Sequence, residues 1–539
     1  MRSQIVVHRV VLAAALVAIA VGSGSAQTVV QQHDDHAAPA AFTGPIDLYK
    51  VGLGPFTRKI SSSSPEAQAF FNQGFQLTYA LAKPEAVRSF RQAGLADPAC
   101  AICFWGEAWA WGSDLNWTMG ADEAPQAYAA IQKALALVHA RTPAVERALI
   151  QAMSARYVAR FDPATQVVRD RAFADAMKTV ADTYPDDPDV ATIYAEALFL
   201  LEPRSVARDI ASPNVQRIAV ALERVLKADL RHPGACHLYI HIMEATTEPH
   251  RATACAEFLG TSIPGASHIN HMPSHIWTRV GRWGDAVKAS LDAWHSDLKS
   301  QIGEGIAIYP WHDLHMLIYS ASMDGQAALA IQASRDYQRM LKDPMYLLLT
   351  LVRFGKFEEI SDLSVRPDGV IAAPVWDFAQ GYAHLGQGQR DPAIASMARL
   401  RYAADNSTAV FRAHPAKSLL GVLAGILEGE LALAARNGPA ALAAFEKAVT
   451  LQDGLPWDEP EPLPFSARHW LGAALVDTGR PADAEAVYRA DLEKYPKNGW
   501  ALMGLGRALA AQGKPSREVE EEFARAWTRS DTWIRASRF

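Results

Sequence analysis

Histidine residues are concentrated in one part of this 539-residue chain, at spacings that place them on helix faces. Ten of the 17 histidines lie between His232 and His315. Residues three, four or seven positions apart share one side of a helix. Imidazoles and a carboxylate that converge from neighbouring helices form the donor set of a first-row transition-metal site. The predicted metal ligands are His237, His241, Glu244, His271, His275, His312 and His315.

The types of these donors restrict the metal. Neutral imidazoles with one carboxylate suit zinc, copper or iron, whereas calcium and magnesium prefer oxygen ligands. Six or more candidate ligands exceed the four of one tetrahedral ion. The sequence therefore leaves open a centre of two ions and a single ion with additional acid–base histidines. Each cluster taken alone is also typical of polar positions on a helix surface.

Three neighbouring side chains are predicted to support the ligands. His268 is the histidine that we most expect to hydrogen bond a backbone carbonyl instead of a metal. Arg279 follows His275 by four residues and either orients a bound anion or pairs with a carboxylate. Asp313 either orients a ligand or caps its helix.

Two prolines mark where the helices that carry these residues begin. Pro310 is predicted at the first position of the helix that contains His312. Pro273 lies either in the first turn of a helix or at a kink, so the sequence allows His268 and His271 to lie in the approach loop.

The elements that position these residues follow a repeat of about 34 residues. In each clear copy a glycine is followed by an alanine, an aromatic residue and a proline. The glycine and the alanine lie where the two helices touch, the aromatic residue fills the next gap, and the proline ends the second helix. One copy is Gly74, Ala86, Phe90 and Pro98, and another is Gly472, Ala484, Tyr488 and Pro496, with Gly506 one period after Gly472. This spacing is the tetratricopeptide (TPR) pattern.

The repeat predicts an all-α fold, a TPR-type superhelix of antiparallel helix pairs, because strand signals are scarce. Successive helices of such a solenoid line one concave wall, on which the histidines are expected to converge. We predict an N-terminal solenoid with the His-rich site over 61–365 and C-terminal TPR repeats over 366–539. The segment 455–464 contains four prolines and cannot be wholly helical, so it is either a spacer or a lid over the groove.

The N-terminus is predicted to direct export. Residues 1–26 have the basic start, the short apolar run and the small residues of a signal peptide, with cleavage after Ala26. Residues 27–60 are predicted to be a flexible leader. The mature protein is thus expected in the periplasm or the medium, with no membrane span after cleavage. The net charge of −6 gives no basic excess, so nucleic acid is not expected as a partner.

Four cysteines in an oxidising compartment allow two disulfides. Cys100 and Cys103 are interpreted as a structural bridge or two buried thiols. Cys236 and Cys255 are expected at the start of one helix and the end of the next, where a bridge would clamp the helical hairpin that carries His237.

Several segments resemble a group of exported bacterial TPR proteins. The most specific of them is the phrase His271-Met-Pro-Ser-His275, and the others are Cys103–Gly106, His237–Glu244, His312–His315 and the Glu459-Pro460 loop before Arg468. The resemblance implies a TPR solenoid with a His-rich site and places Glu459 in the same groove. It leads us to expect asparagine where this chain has Asp313, and it implies no particular reaction.

Two functions fit this sequence. The first is a module whose groove binds a peptide or protein partner, with a metal that is structural or absent. The second is a metal-dependent enzyme, a hydrolase or an oxidoreductase, that acts on a small-molecule substrate. The sequence contains no Gly-x-Ser-x-Gly motif, phosphate-binding glycine loop or dinucleotide fingerprint.

Overall fold

A computed structural model describes residues 29–30, 39–203 and 206–539. The predicted signal peptide lies outside these residues. Within the described part the fold is almost entirely helical, as predicted, with 24 α-helices. The strands have two residues each: β1 (Val29–Val30) runs parallel to β2 (Val410–Phe411), which pairs antiparallel with β3 (His414–Pro415).

The first twelve helices extend from residue 65 to residue 300. Several begin with proline in their first turn, as α9 does. Proline is tolerated there because a backbone N–H at that position would have no acceptor within the helix. They are α1 (Pro65–Tyr79), α2 (Lys83–Ala96), α3 (Ala101–Trp111), α4 (Ala124–Leu137), α5 (Ala144–Ser154), α6 (Gln166–Thr183), α7 (Pro188–Phe199), α8 (Pro213–Ala228), α9 (Pro233–Glu244), α10 (Thr253–Leu259), α11 (Ser267–Val280) and α12 (Trp283–Ser300).

The remaining twelve helices continue the superhelix to residue 526. Consecutive helices pack against each other along the chain, and α13 also contacts α23. They are α13 (Pro310–Asp324), α14 (Ala327–Leu341), α15 (Met345–Arg353), α16 (Phe357–Asp362), α17 (Ala372–Gly386), α18 (Arg390–Asn406), α19 (Ala416–Ala434), α20 (Gly438–Asp453), α21 (Arg468–Asp477), α22 (Pro481–Lys494), α23 (Gly499–Ala511) and α24 (Arg517–Ala526). Short 3-10 helices span Pro39–Phe42, Pro163–Thr165 and Pro249–Ala252.

The repeat pattern has a packing cause. A Cβ atom on Gly106 would lie 2.4 Å from the ring of Phe90, so glycine is needed where the aromatic residue fills the gap between helices. Tyr488 packs in the same way between Gly472 and Gly504. The periodic glycine Gly506 is not the contact, because a Cβ there meets nothing closer than 4.0 Å.

The apolar core divides into two main clusters near the middle of the chain. The first includes buried residues from Phe42 to Ile308, and the second runs from Val287 to Ile534. The change therefore falls at α12 and α13, while the predicted boundary at residue 366 lies inside the second cluster. The histidine-bearing helices α9, α11 and α13 lie at this seam.

The later part of the predicted flexible leader packs on the solenoid. Phe42 and Ile60 are buried, and the backbone N–H of Gly54 donates to the side chain of Gln76 at 2.8 Å. Arg58 pairs with Asp189 of α7 at 2.6 Å. Apolar side chains and backbone hydrogen bonds order this segment, although its sequence lacks helical periodicity.

Both cysteine pairs form disulfides. Cys100 and Cys103 bridge the start of α3, which matches one of the two interpretations of this pair. The bridge expected between Cys236 and Cys255 joins α9 to α10, with Cα atoms 5.0 Å apart. It holds in place the helix that carries His237 and His241.

Removing the second bridge should destabilise the helices around the histidines. Cross-linking residues 19 positions apart removes chain entropy from the unfolded state worth about 3 kcal/mol. We therefore expect a Cys236→Ser/Cys255→Ser variant to lose about 3 kcal/mol in free energy of unfolding, measured by denaturant titration. The Cys100→Ser/Cys103→Ser variant is the control and should lose less, because its loop is shorter. Equal stability of the Cys236→Ser/Cys255→Ser variant and the unmodified protein would contradict the prediction.

Candidate metal centre

Helix α9 places His237, His241 and Glu244 on one buried face. The side chain of His232 caps its start by accepting from the N–H of Ala235. Gly234 lets α9 approach α1 closely, because a Cβ there would lie 2.4 Å from the ring of Tyr79. At this distance His237 Nδ1 donates to the carbonyl of Tyr79 at 2.6 Å.

Helix α11 carries the next three histidines inside its length. The structure differs from the approach loop that the sequence allowed, since α11 begins at Ser267 and Pro273 lies in its interior. Gly260 leaves room for the proline ring, which a Cβ at that position would meet at 2.9 Å. His268 and His271 therefore project from the helix itself.

Helix α13 begins with Pro310 at its first position, as predicted. Its two histidines face different surroundings. His312 lies beside His271, with ring centroids 4.9 Å apart. The ring of His315 packs at a tilt against Tyr346, with centroids 4.4 Å apart, and its Nδ1 lies 2.8 Å from the guanidinium of Arg412. The ring also forms a hydrogen bond with the backbone of Glu461, and His315 belongs to neither group of clustered histidines described below.

Six histidines form two groups of three. Triad 1 is defined as His237, His241 and His268, and triad 2 as His271, His275 and His312. Within each triad the candidate donor atoms all lie within 4.8 Å of one another.

The nitrogen spacing fits metal coordination. In triad 1, His237 Nε2 lies 3.1 Å from His268 Nε2 and 3.2 Å from His241 Nε2. In triad 2, the Nε2 atoms of His271 and His275 are 3.0 Å apart. Tetrahedral ligands with metal–nitrogen bonds of about 2.0–2.1 Å have nitrogens about 3.3 Å from one another. These three distances are close to that value, and the remaining donor atoms lie within 4.8 Å.

The two triads adjoin and share one carboxylate. The rings of His268 and His271 are 4.7 Å apart, and those of His241 and His275 are 5.4 Å apart. Glu244 Oε1 accepts from His241 Nδ1 at 2.8 Å, and Oε2 accepts from His275 Nδ1 at 2.6 Å. The sequence placed Glu244 among the metal ligands. In the structure Glu244 instead orients His241 and His275, so that the Nε2 atom of each ring points into its triad.

Burial sets the protonation of most of these rings. It lowers the pKa of His237, His268, His271 and His312 well below the usual value, and that of His241 to about 3. Burial also disfavours charge on His275, but Glu244 and Glu459 outweigh it and raise its pKa to about 10. A proton and a metal ion therefore compete for His275, while the other five imidazoles are neutral at pH 7.

Asp313 lies behind triad 2. Its Oδ1 is 2.8 Å from Nδ1 of the neutral His271 ring, without the angle of a good hydrogen bond. The carboxyl of Asp297 on α12 lies close enough to Asp313 for the two groups to affect each other's protonation. Burial raises the pKa of both carboxyls, and the charge of Asp313 raises that of Asp297 further. The pKa of Asp297 is raised to about 10, so this group keeps its proton at pH 7, whereas the pKa of Asp313 is raised to about 7.

The proline-rich loop lies across the site as a lid, one of the two alternatives that the sequence left open. Glu459 Oε2 lies 3.4 Å from His275 Nδ1, as the family resemblance implied for this residue. Asp458 anchors the loop by pairing with Arg412 at 2.6 Å and with His414 at 2.8 Å. Sequence reasoning missed Arg412, His414 and Asp297, which carry no motif.

Two cavities open beside the triads under this lid. One of about 170 Å³ is lined by His241, Glu244 and Arg208. The other, of about 360 Å³, is lined by Glu244, His275, Arg279, Glu459 and Trp457, among others. Arg279 thus reaches the site, beside His275.

The C-terminal helices match a tetratricopeptide repeat family model over residues 426–498 and 471–531. The TPR pattern predicted from the spacing is therefore confirmed there, and the described chain has an all-α, TPR-type superhelical fold. TPR repeats are typical of protein-binding modules. No helix in the described residues is both long and apolar enough to cross a bilayer.

Solved structures with similar folds are distant. A human IFIT1 dimer with m7Gppp-AAAA is 10% identical over 79% of this chain and 90% of its own, with a TM-score of 0.30. The Cut9–Hcn1 hetero-tetramer of APC/C is 14% identical over 89% and 77%, with a TM-score of 0.29. Yeast Tom70 is 12% identical over 84% and 90%, with a TM-score of 0.26. Such likeness carries no argument about what this chain binds. A comparison with curated protein sequences finds no match.

Proposed function

We propose that this protein binds two first-row transition-metal ions, one in each triad, and uses them as a metal-dependent enzyme on a small molecule under the lid. We further propose that it works outside the cytoplasm, in the periplasm or the medium. The signal-like N-terminus and the two disulfides support this location, because disulfides persist in oxidising compartments.

One observation in triad 1 carries the metal proposal. His237 donates its Nδ1 proton to the Tyr79 carbonyl, and His241 donates its own to Glu244. Each neutral ring therefore turns an unprotonated Nε2 toward the other, and these two lone pairs lie 3.2 Å apart. Two buried lone pairs at this distance repel each other unless a cation or a proton binds between them, and the low pKa values disfavour the proton.

The donor set favours copper or zinc among the ions considered. All six triad ligands are imidazoles, and both oxygens of Glu244 are already hydrogen bonded to ring nitrogens. Affinity for nitrogen sites rises along the first row to copper. Such an ion, when bound with an open position, polarises a substrate oxygen or activates water or oxygen.

The shape of the site favours a small molecule over a peptide in the groove. The lid leaves cavities of about 170 and 360 Å³, and small-molecule pockets commonly measure about 300–1,000 Å³. A peptide helix needs a far longer open groove. The second candidate function, a peptide- or protein-binding module, is favoured by the TPR match, and its partner would then dock away from the lid.

Metal-dependent turnover tests the proposal. Protein stripped by a chelator and reloaded separately with zinc, copper or iron is assayed for oxygen uptake and for hydrolysis of small aryl esters. We expect two ions per chain and a reaction that ends when the metal is removed or when His241 and His275 are both changed to alanine. The His250→Ala variant is the matched control, because His250 is exposed and stands in neither triad.

Two results would contradict the proposal. A reaction that is equally fast in the metal-free protein would remove the enzyme role of the ions. Full metal content without any turnover, together with tight binding of a protein partner, would leave the binding module as the function.

A further inference from the structure

We infer that the substrate of this centre is a small organic oxyanion, a carboxylate or a phosphate ester, whose charged group binds Arg279 in the larger cavity. This inference rests on the proposed function, since it names the substrate class of the same site. Arg279 lies four residues after His275 on α11, so the two side chains share one face of the helix and line the same cavity.

Arg279 lacks a counter-ion within the described part of the chain. Its only hydrogen bond is a long one, 3.4 Å from Nη2 to the carbonyl of Thr246. Its Nε is buried and has no hydrogen-bond partner. A partly buried guanidinium without an anion is costly, and a bound oxyanion would remove that cost through a bidentate contact.

Most of the other charged groups that line this cavity are already paired. Glu244 is hydrogen bonded to two imidazoles, and Glu459 lies beside His275. Asp453 pairs with Arg468, Asp458 with Arg412, and Glu461 with Lys494. Of the cations that line the cavity, His275 contacts Glu244 and Lys494 pairs with Glu461, so within the described residues Arg279 is the cation left to contact an anionic substrate.

Arg208 repeats this arrangement in the smaller cavity, on the other side of Glu244. Its Nε is also buried without a partner, and Nη1 makes a 3.4 Å hydrogen bond to the carbonyl of His241. Its guanidinium lies 4.8 Å from the ring centre of Phe199. Among the described residues, a cation without a carboxylate partner thus stands on each side of the triads, whereas Arg412 at the lid has its own carboxylate.

Apolar walls define the rest of the substrate. Met316, Tyr319, Trp457 and Tyr495 line the larger cavity. Aromatic side chains favour a flat carbon skeleton packed against them. The cavity of about 360 Å³ is large enough for one ring with a short charged arm. With the arm on Arg279, the ring would reach toward His275 and triad 2.

Binding of three matched probes tests the inference. Benzoate, phenyl phosphate and neutral benzamide are titrated into metal-loaded protein by calorimetry, and metal content is measured on the same samples. We expect at least one anion to bind more tightly than benzamide, and Arg279→Gln to weaken that anion by about 10- to 100-fold. Arg279→Lys should recover part of the loss. The control is Arg282→Gln, because Arg282 lines neither cavity and pairs with Asp285 and Glu257.

The outcomes separate the two proposals. The tighter of benzoate and phenyl phosphate identifies the source of the oxyanion. Equal anion binding by the unmodified protein and Arg279→Gln, or no anion binding at all, overturns the inference even when two ions are bound. Absence of metal from both samples overturns the proposed function instead, and the Arg279 comparison can then be repeated on the metal-free protein.

Discussion

Replacing Glu244 with glutamine is expected to weaken both metal positions together, by about 10- to 100-fold each. The carboxylate accepts a hydrogen bond from one imidazole of each triad, at 2.8 Å from His241 and 2.6 Å from His275. Glutamine keeps the size of the side chain, but its NH₂ group cannot accept a hydrogen bond from a ring N–H. One of the two rings must therefore turn or change tautomer. Competition with a chromogenic chelator measures both affinities.

The matched control for this variant is Glu248→Gln, one turn beyond α9. Glu248 pairs with Arg251 and has no contact with the histidines. It should leave both affinities unchanged. A Glu244→Gln protein that loses affinity at one position only, or at neither, would show that the triads do not share this carboxylate in the metal-bound state.

Removing one histidine ligand from a single triad should reduce metal affinity more strongly, but only for the ion of that triad. We expect His268→Ala to retain a single ion in triad 2 and His312→Ala to retain a single ion in triad 1. Each loss should be about 100- to 1,000-fold in affinity, since a structural zinc ion gains about 10–16 kcal/mol from about four ligands, or about 2.5–4 kcal/mol from each. These two histidines are chosen because His268 Nδ1 has no hydrogen-bond partner and His312 is the most exposed triad member, at 9%. Elemental analysis after desalting counts the ions.

The double variant His268→Ala/His312→Ala should hold neither ion, and His295→Ala should hold both, since His295 belongs to neither triad. If His268→Ala and His312→Ala each release both ions, the centre is a single cooperative cluster. If neither variant releases an ion, the metal is bound elsewhere.

The local part of this site follows from the sequence, because helical spacing is a short-range property. His237 with His241, and His271 with His275, are each one turn apart, and both pairs converge as predicted. The division into two triads depends on where α9, α11 and α13 cross. Side-chain spacing within one helix contains no information about those crossings.

Long-range contacts explain the residues whose positions differ from expectation. His268 was expected to bond a backbone carbonyl, yet His237 does so, because Gly234 brings α9 against Tyr79 of α1. His315 shares the face of His312 by spacing, but Arg412, 97 residues later, holds its ring toward the lid. Neither neighbour can be found from local periodicity.

The fold was more predictable than the lid. A glycine and an aromatic residue at fixed offsets report a direct packing contact, such as Gly106 against Phe90, so the repeat could be seen in the sequence. Four prolines excluded helix from the loop but did not say where it lies. The ion pairs of Asp458 with Arg412 and His414, on the β2–β3 hairpin, place it over the triads.

Anomalous diffraction from crystals of the metal-loaded protein tests the two-ion centre most directly. Data collected on both sides of the zinc or copper absorption edge should give two peaks, one in each triad, about 2.0–2.1 Å from three Nε2 atoms. No peak within either triad, or imidazole rings that turn their Nε2 atoms apart when the metal is supplied, would contradict the account.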